Sequence, residues 1–204
     1  MRQIAGLVLA GGAARRMGGG DKPLRLLLGR PLLDYALAGL DTPLRAISAN
    51  GEPGRFGRYG LPVLPDGPFA GRGPLAGILA GLDWAAGQGA ELLLTVPGDT
   101  PFLPPDLSRR LIPAPACARS DGQAHYLTAM WRVSDRAALR AFLSNPGSPR
   151  VSRFADKIGL RRIDIAMEHP LWFVNINTLQ ELADLETMAS RQGGAIAPPP
   201  SQDR

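Results

Sequence analysis

Between Leu9 and Lys22 the chain reads LAGGAARRMGGGDK, with five glycines (Gly11, Gly12, Gly18, Gly19, Gly20) and three cations (Arg15, Arg16, Lys22). Glycine lets backbone N–H groups approach phosphate oxygens with no Cβ in the way. Arg and Lys neutralise a polyphosphate, and Arg adds a bidentate fork. Glycine content alone fits a flexible surface loop equally well. Three cations on the same loop, directly after an apolar run, favour a phosphate site. The Walker pattern GxxxxGK followed by Ser or Thr is absent, so a P-loop ATPase is excluded.

Asp99, in VPGDTP, follows a second apolar run. A carboxylate there can hold Mg²⁺ against phosphate oxygens, or it can simply cap the next helix. Beside the first loop, the metal role leads. Asn50 and Asp66 each follow a short apolar segment, but Asn-Gly and Pro-Asp-Gly are also ordinary turn sequences. Asn175 and Asn177, in FVNINT, would point the same way on a strand, while Asn177-Thr178 could equally cap the last helix.

Other patterns carry less. Residues 71–76 formally match GxGxxA, but no long strand leads into them and Pro74 lacks an N–H. His125 and His169 have no HExxH or triad companions, and no serine sits in a GxSxG elbow. Trp84, Trp131 and Trp172 read as core residues. Cys117 is the single cysteine, so neither an internal disulfide nor a Cys-based zinc site is available. Its apolar setting suggests a core position.

Strands are expected at residues 4–10, 44–49, 61–64, 91–96, 114–118, 126–133 and 160–165. Helices are expected at 31–40, 74–88, 103–111, 135–143, 150–158 and 179–189, with a Gly- and Arg-rich loop at 51–60. Alternation over the first 110 residues points to βαβ units and a mainly parallel sheet. Ligands bind such sheets beyond the carboxyl ends of the strands. The loops at 10–22, 50, 66–73 and 97–101 all follow strands, so they should gather on one edge. The expected fold class is α/β. A single domain is expected over 1–190, with a disordered, proline-containing tail over 191–204.

The chain has 204 residues, 45% of them hydrophobic, which is enough for a substantial core. Its net charge is +5, with the cations scattered in pairs and no run of five. That suits a small phosphorylated ligand better than nucleic acid. No segment reaches the ~18 apolar residues of a membrane span, and residues 4–10 are too short for a signal core. A cytoplasmic location is expected.

With these pieces placed, the sequence resembles the molybdenum cofactor guanylyltransferases, the MobA family. The matching motifs run in order: LAGGAARRMGGGDK at 9–22, SAN at 48–50, LPD at 64–66, GPLAGI at 73–78, PGDTPFLPPDL at 97–107 and FVNINTLQEL at 173–182. The chain departs from the family pattern at Tyr126, where many relatives have proline. The resemblance implies a Rossmann-like, three-layer α/β/α nucleotidyltransferase fold. It implies GTP as co-substrate with Mg²⁺, and molybdopterin (molybdenum cofactor) as acceptor of GMP. Molybdopterin-insertion proteins and molybdoenzyme chaperones would lie downstream. Carried over by position, Leu9, Ala10, Gly11, Gly12, Lys22, Asn50, Asp66 and Asp99 contact the nucleotide, and Asp99 also holds Mg²⁺. Arg16, Gly19, Asn175 and Asn177 match positions used for activity or for the pterin. Arg16, Lys22 and Asp99 are the expected catalytic groups. The rivals are a cytidylyl- or sugar-phosphate nucleotidyltransferase and a non-catalytic cofactor-binding chaperone.

Overall fold

The computed structural model describes residues 3–11 and 21–191. The expectations for Gly12, Arg16, Gly19 and the tail from residue 192 fall outside that range. Strand β1 (Ile4–Leu9) is apolar on both faces because both faces are covered. Ala5 and Leu7 pack with Leu75, Ile78, Leu82, Leu139 and Phe154 on one side. Val8 and Ala10 pack with Leu33, Ala36, Leu107 and Leu111 on the other. The expected three-layer α/β/α arrangement follows from that two-sided burial.

Helices α1 (Leu32–Ala38) and α3 (Leu107–Arg110) cover one face of the sheet. Helices α2 (Pro74–Gly87), α4 (Arg136–Ser144) and α5 (Val151–Lys157) cover the other. The hairpin β2 (Leu26–Leu27) and β3 (Arg30–Pro31) packs with α6 (Leu179–Arg191) around Leu27, Tyr35, Phe102, Ile176 and Leu185. The hairpin was not anticipated, since two-residue strands leave no periodicity to read. The segment 53–59, expected as loop, winds into a 3-10 helix, Pro53–Tyr59, around the fully buried Phe56. Helix α6 runs through Arg191, one residue into the stretch expected to be tail.

The remaining strands are β4 (Leu44–Ser48), β5 (Val63–Leu64), β6 (Leu92–Pro97), β7 (Ala116–Ser120), β8 (Gln123–Arg132) and β9 (Arg161–Asp164). They join β1 in one seven-stranded sheet of order β5-β4-β1-β6-β8-β7-β9. Only β8 runs against its neighbours. From β1 the chain moves outward to β4 and β5, then crosses back to β6 on the other side of β1. That reversal opens a crevice at the carboxyl ends of the strands, where α/β sheets receive ligands. Two local features shape it. Gly77 of α2 lies so close to β4 that a Cβ there would sit 2.3 Å from Ser48 Oγ, so the helix rides low against the sheet edge. The β7–β8 register slips between Cys117 and Ala118. Bulges of this kind are common beside functional sites because they re-aim side chains, and Leu127 of the bulged stretch lines the crevice.

Candidate active site

The crevice is a cleft of about 420 Å³, lined by Leu9, Gly11, Ser48, Asn50, Asp66, Gly71, Gly73, Pro74, Gly77, Pro97, Asp99 and Leu127. Loops after β1, β4, β5 and β6 therefore meet at one edge. Backbone bonds stitch them together: Gly98 N donates to Leu9 O at 2.9 Å, Ala10 N to Ser48 O at 2.8 Å and Ala49 N to Leu64 O at 3.0 Å. Ala10 takes part through this backbone bond, while its side chain is buried in the core.

One end of the cleft is ionic. Lys22 opens a short 3-10 helix, Lys22–Leu24, and its Nζ lies 2.5 Å from Asp99 Oδ2. The two side chains are only 12% and 23% exposed, so water screens the pair poorly. Nζ also donates to Asn177 Oδ1 at 2.9 Å and to Asn175 Oδ1 at 3.4 Å. The segment carrying these amides is irregular backbone, so strand alternation does not bring them together. Ile176 is fully buried and its N–H donates to Asp99 O at 3.0 Å. Pinned there, it leaves the amides on either side of it reaching Lys22. Thr178 and Glu181 cap α6 reciprocally, Glu181 N donating to Thr178 Oγ1 at 3.1 Å and Thr178 N to Glu181 Oε2 at 3.0 Å. Thr178 thus supplies the side-chain cap, and the Asn177 side chain stays with Lys22. Asp99 caps no helix: the next one, α3, begins at Leu107, and Asp41 accepts from its Ser108 N–H and hydroxyl.

The other end is held by hydrogen bonds. Asn50 Nδ2 donates to Asp66 Oδ2 at 2.6 Å, and Asp66 N donates to Asn50 Oδ1 at 2.9 Å. The two turn residues thereby lock the loops after β4 and β5 to each other.

Arg55 joins the two ends. Its Nε lies 3.1 Å from Asp21 Oδ2, next to Lys22, and its Nη2 donates to Asn50 O. Nothing in the sequence singled out Arg55, because it sits in a Gly- and Arg-rich stretch that reads as loop. The segment 71–76, discounted as a dinucleotide fingerprint, does line the cleft through Gly71, Gly73 and Pro74. It forms the turn into α2 rather than a loop after a long strand.

The residues set aside have structural partners. Trp131 is buried and donates to Thr95 Oγ1 at 2.9 Å. Cys117 is buried, and burial pushes its thiol up to about 11, leaving it protonated and unreactive at neutral pH. His125 lies 2.7 Å from Ser120 Oγ and stacks on Phe173 at 4.4 Å, and burial lowers its pKa. Phe173 leads into the segment carrying Asn175.

Residues 6–162 match the MobA-like NTP transferase domain. The chain is 51% identical to a molybdenum cofactor guanylyltransferase of Acidiphilium cryptum, over 88% of this chain and 92% of that one. It is 48% identical to one of Rhodobacter capsulatus, over 90% and 95%. The chain belongs to the molybdenum cofactor guanylyltransferase family. Among solved structures, molybdopterin-guanine dinucleotide biosynthesis protein A of Archaeoglobus fulgidus matches with a TM-score of 0.73 at 20% identity, covering 92% of this chain and 99% of that one. A 4-diphosphocytidyl-2C-methyl-D-erythritol synthase matches at 0.64 and 14%, covering 93% and 99%. The chain thus shares its fold with a protein named for a different product.

Among the described residues, no group of three His, Cys, Asp or Glu side chains gathers to hold a metal. Mg²⁺ does not require such a cage, because it commonly takes one or two carboxylates and completes its shell with phosphate oxygens and water. Asp99, a hard oxygen donor on the cleft wall beside a cation suited to phosphate, fits that pattern. No helix among the described residues is long and apolar enough to cross a membrane.

Proposed function

We propose that the chain transfers GMP from GTP to the terminal phosphate of the molybdenum-molybdopterin cofactor, releasing pyrophosphate. The observation that carries the reading is the convergence of Lys22, Asn175 and Asn177 on Asp99, which lines a cleft on the topological reversal. The activity for which the relatives are named, molybdenum cofactor guanylyl transfer, supplies the nucleotide and the acceptor.

The reaction is a direct displacement. An oxygen of the acceptor phosphate forms a bond to the α-phosphorus of GTP as the bond from that phosphorus to the bridging oxygen breaks, and pyrophosphate carries the electron pair away. The attacking oxygen is already ionised at neutral pH, so no protein nucleophile is required. Lys22 moves from Asp99 onto the phosphate chain and offsets charge on the leaving pyrophosphate, with Arg16 and the glycine-loop amides assisting. Asp99 would hold Mg²⁺, which would supply further neutralisation of that charge. Asn175 and Asn177, released by Lys22, orient the acceptor. Leu9, Ala10, Gly11 and Gly12 contact the nucleotide, and Gly19 serves activity or the pterin side.

Asn50 and Asp66 face the base. Guanine presents adjacent N–H donors at N1 and N2, which a carboxylate accepts as a pair, and adenine and cytosine present no such pair. The product would pass to molybdopterin-insertion proteins and molybdoenzyme chaperones in the cytoplasm. The test is pyrophosphate release with GTP, Mg²⁺ and molybdopterin. Release should require all three, cease with EDTA and return with added Mg²⁺. Equal release with CTP, or release independent of molybdopterin, overturns the reading.

A further inference from the structure

The turn from Gly67 to Gly73 contributes Gly71 and Gly73 to the cleft wall and follows directly from Asp66. The turn opens as a short 3-10 helix, Gly67–Phe69, whose Phe69 packs against the core, so the stretch left to be held is 70–73. Its backbone bonds are short-range, Ala70 N to Gly67 O at 3.2 Å and Arg72 N to Phe69 O at 3.0 Å. Gly71 and Gly73 adopt φ of +82° and +74°, which glycine takes readily and leaves as readily.

Arg72, between them, reaches out of the turn. Its Nη1 donates to Gly147 O at 2.7 Å, and its Nη2 donates to Leu143 O at 2.8 Å and to Asn145 O at 2.5 Å. These carbonyls belong to the end of α4 and the residues just past it, where a helix leaves acceptors unpaired and carries partial negative charge. A guanidinium is a rigid planar fork, so three acceptors fix its orientation as well as its position. Arg72 itself is not part of the cleft wall.

We propose that Arg72 is a positioning residue: it latches the glycine turn to the end of α4 and so sets how tightly and how selectively the base end of the cleft holds its nucleotide. The selectivity half rests on the guanine reading of Asn50 and Asp66. Loss of the latch leaves Lys22 and Asp99 in place, so binding suffers while chemistry does not.

The test compares the full chain with Arg72→Ala and Arg72→Lys by kcat and KM for GTP, Kd for GTP and ATP, and amide hydrogen exchange over residues 67–73. In Arg72→Ala, KM for GTP should rise about tenfold with kcat within about twofold, the pattern of lost uniform binding. The GTP-over-ATP preference should narrow, and exchange over 67–73 should accelerate. Arg72→Lys, which keeps the charge and loses the fork, should recover only part of KM. Unchanged KM with unchanged exchange overturns the latch. A fall in kcat at constant KM overturns it too, because that would place Arg72 on the reacting groups. Faster exchange in Arg72→Ala, in a protein whose wild type does not prefer GTP, supports the latch and removes the guanine reading instead.

Discussion

The two ends of the cleft are built on different physics. At the ionic end, Lys22, Asp99, Asn175 and Asn177 come from three distant stretches of chain, and a poorly screened ion pair holds them. At the other end, proposed to face the base, Asn50 and Asp66 lie sixteen residues apart and are joined by two reciprocal hydrogen bonds, with glycine backbone beside them. A charge at low exposure suits a step in which charge develops, because its effect is strongest where water is scarce. Reciprocal hydrogen bonds and bare backbone suit discrimination, because they hold donors and acceptors in fixed positions that a mismatched partner leaves unpaired. Rate and selectivity should therefore respond to substitutions at different ends.

The largest effect is expected at the ionic end. Lys22→Ala and Asp99→Ala should each lower kcat by about a hundredfold or more, corresponding to ~3 kcal/mol of lost transition-state stabilisation. Both proteins should stay folded by circular dichroism. Near-normal turnover in either would break the contrast at its stronger pole. Next comes Asp66→Ala, which removes the proposed guanine acceptor and leaves Asn50 Nδ2 without its partner. The GTP-over-ATP preference in kcat/KM should fall by about tenfold or more, with the residual kcat for GTP less affected. A collapse of kcat with selectivity intact would reverse the assignment of the two ends.

Arg55→Ala probes the tie between them. Losing its contacts to Asp21 and Asn50 should loosen both ends together, with kcat/KM for GTP down about tenfold and both kcat and KM contributing. A change confined to KM would mean that Arg55 serves the base end alone.

The smallest effect concerns His125, behind the segment that carries Asn175. Burial lowers its pKa, so the folded protein favours the neutral ring, while the unfolded chain gains a proton near the ordinary value of about 6.5. Stability from this group is present above that pH and is lost as pH falls through it. Wild-type Tm should therefore drop more steeply below about pH 6.5 than that of His125→Phe, which keeps the aromatic stack and cannot titrate. Parallel profiles would show that His125 does not couple stability to pH.

Much of the fold was legible because its signals are local. The apolar runs at 4–10, 44–49 and 91–96 became the parallel strands β1, β4 and β6, and Pro74 opened α2 as expected. The hairpin at 26–31 and the 3-10 helix at 53–59 were not legible, since their short stretches take shape from Leu27 and Phe56 packing into the tertiary core. In the site, residue types pointed to Lys22 and Asp99, because cations among glycines and a carboxylate after a buried strand are unusual on chemical grounds. Arg55 and Arg72 were invisible for the opposite reason: an arginine in a glycine-rich loop looks the same whether it is solvated or holding carbonyls.

By itself, then, the sequence determined the chemistry on offer and the side of the sheet where it would gather, because strand patterning and loop position are properties of neighbouring residues. The register slip in β8, the pinning of Ile176 on Asp99 O, the Asn50–Asp66 lock and the reach of Arg72 to α4 were decided only in three dimensions. Each depends on contacts between segments far apart along the chain, whose partners are set by how the layers pack rather than by any local pattern.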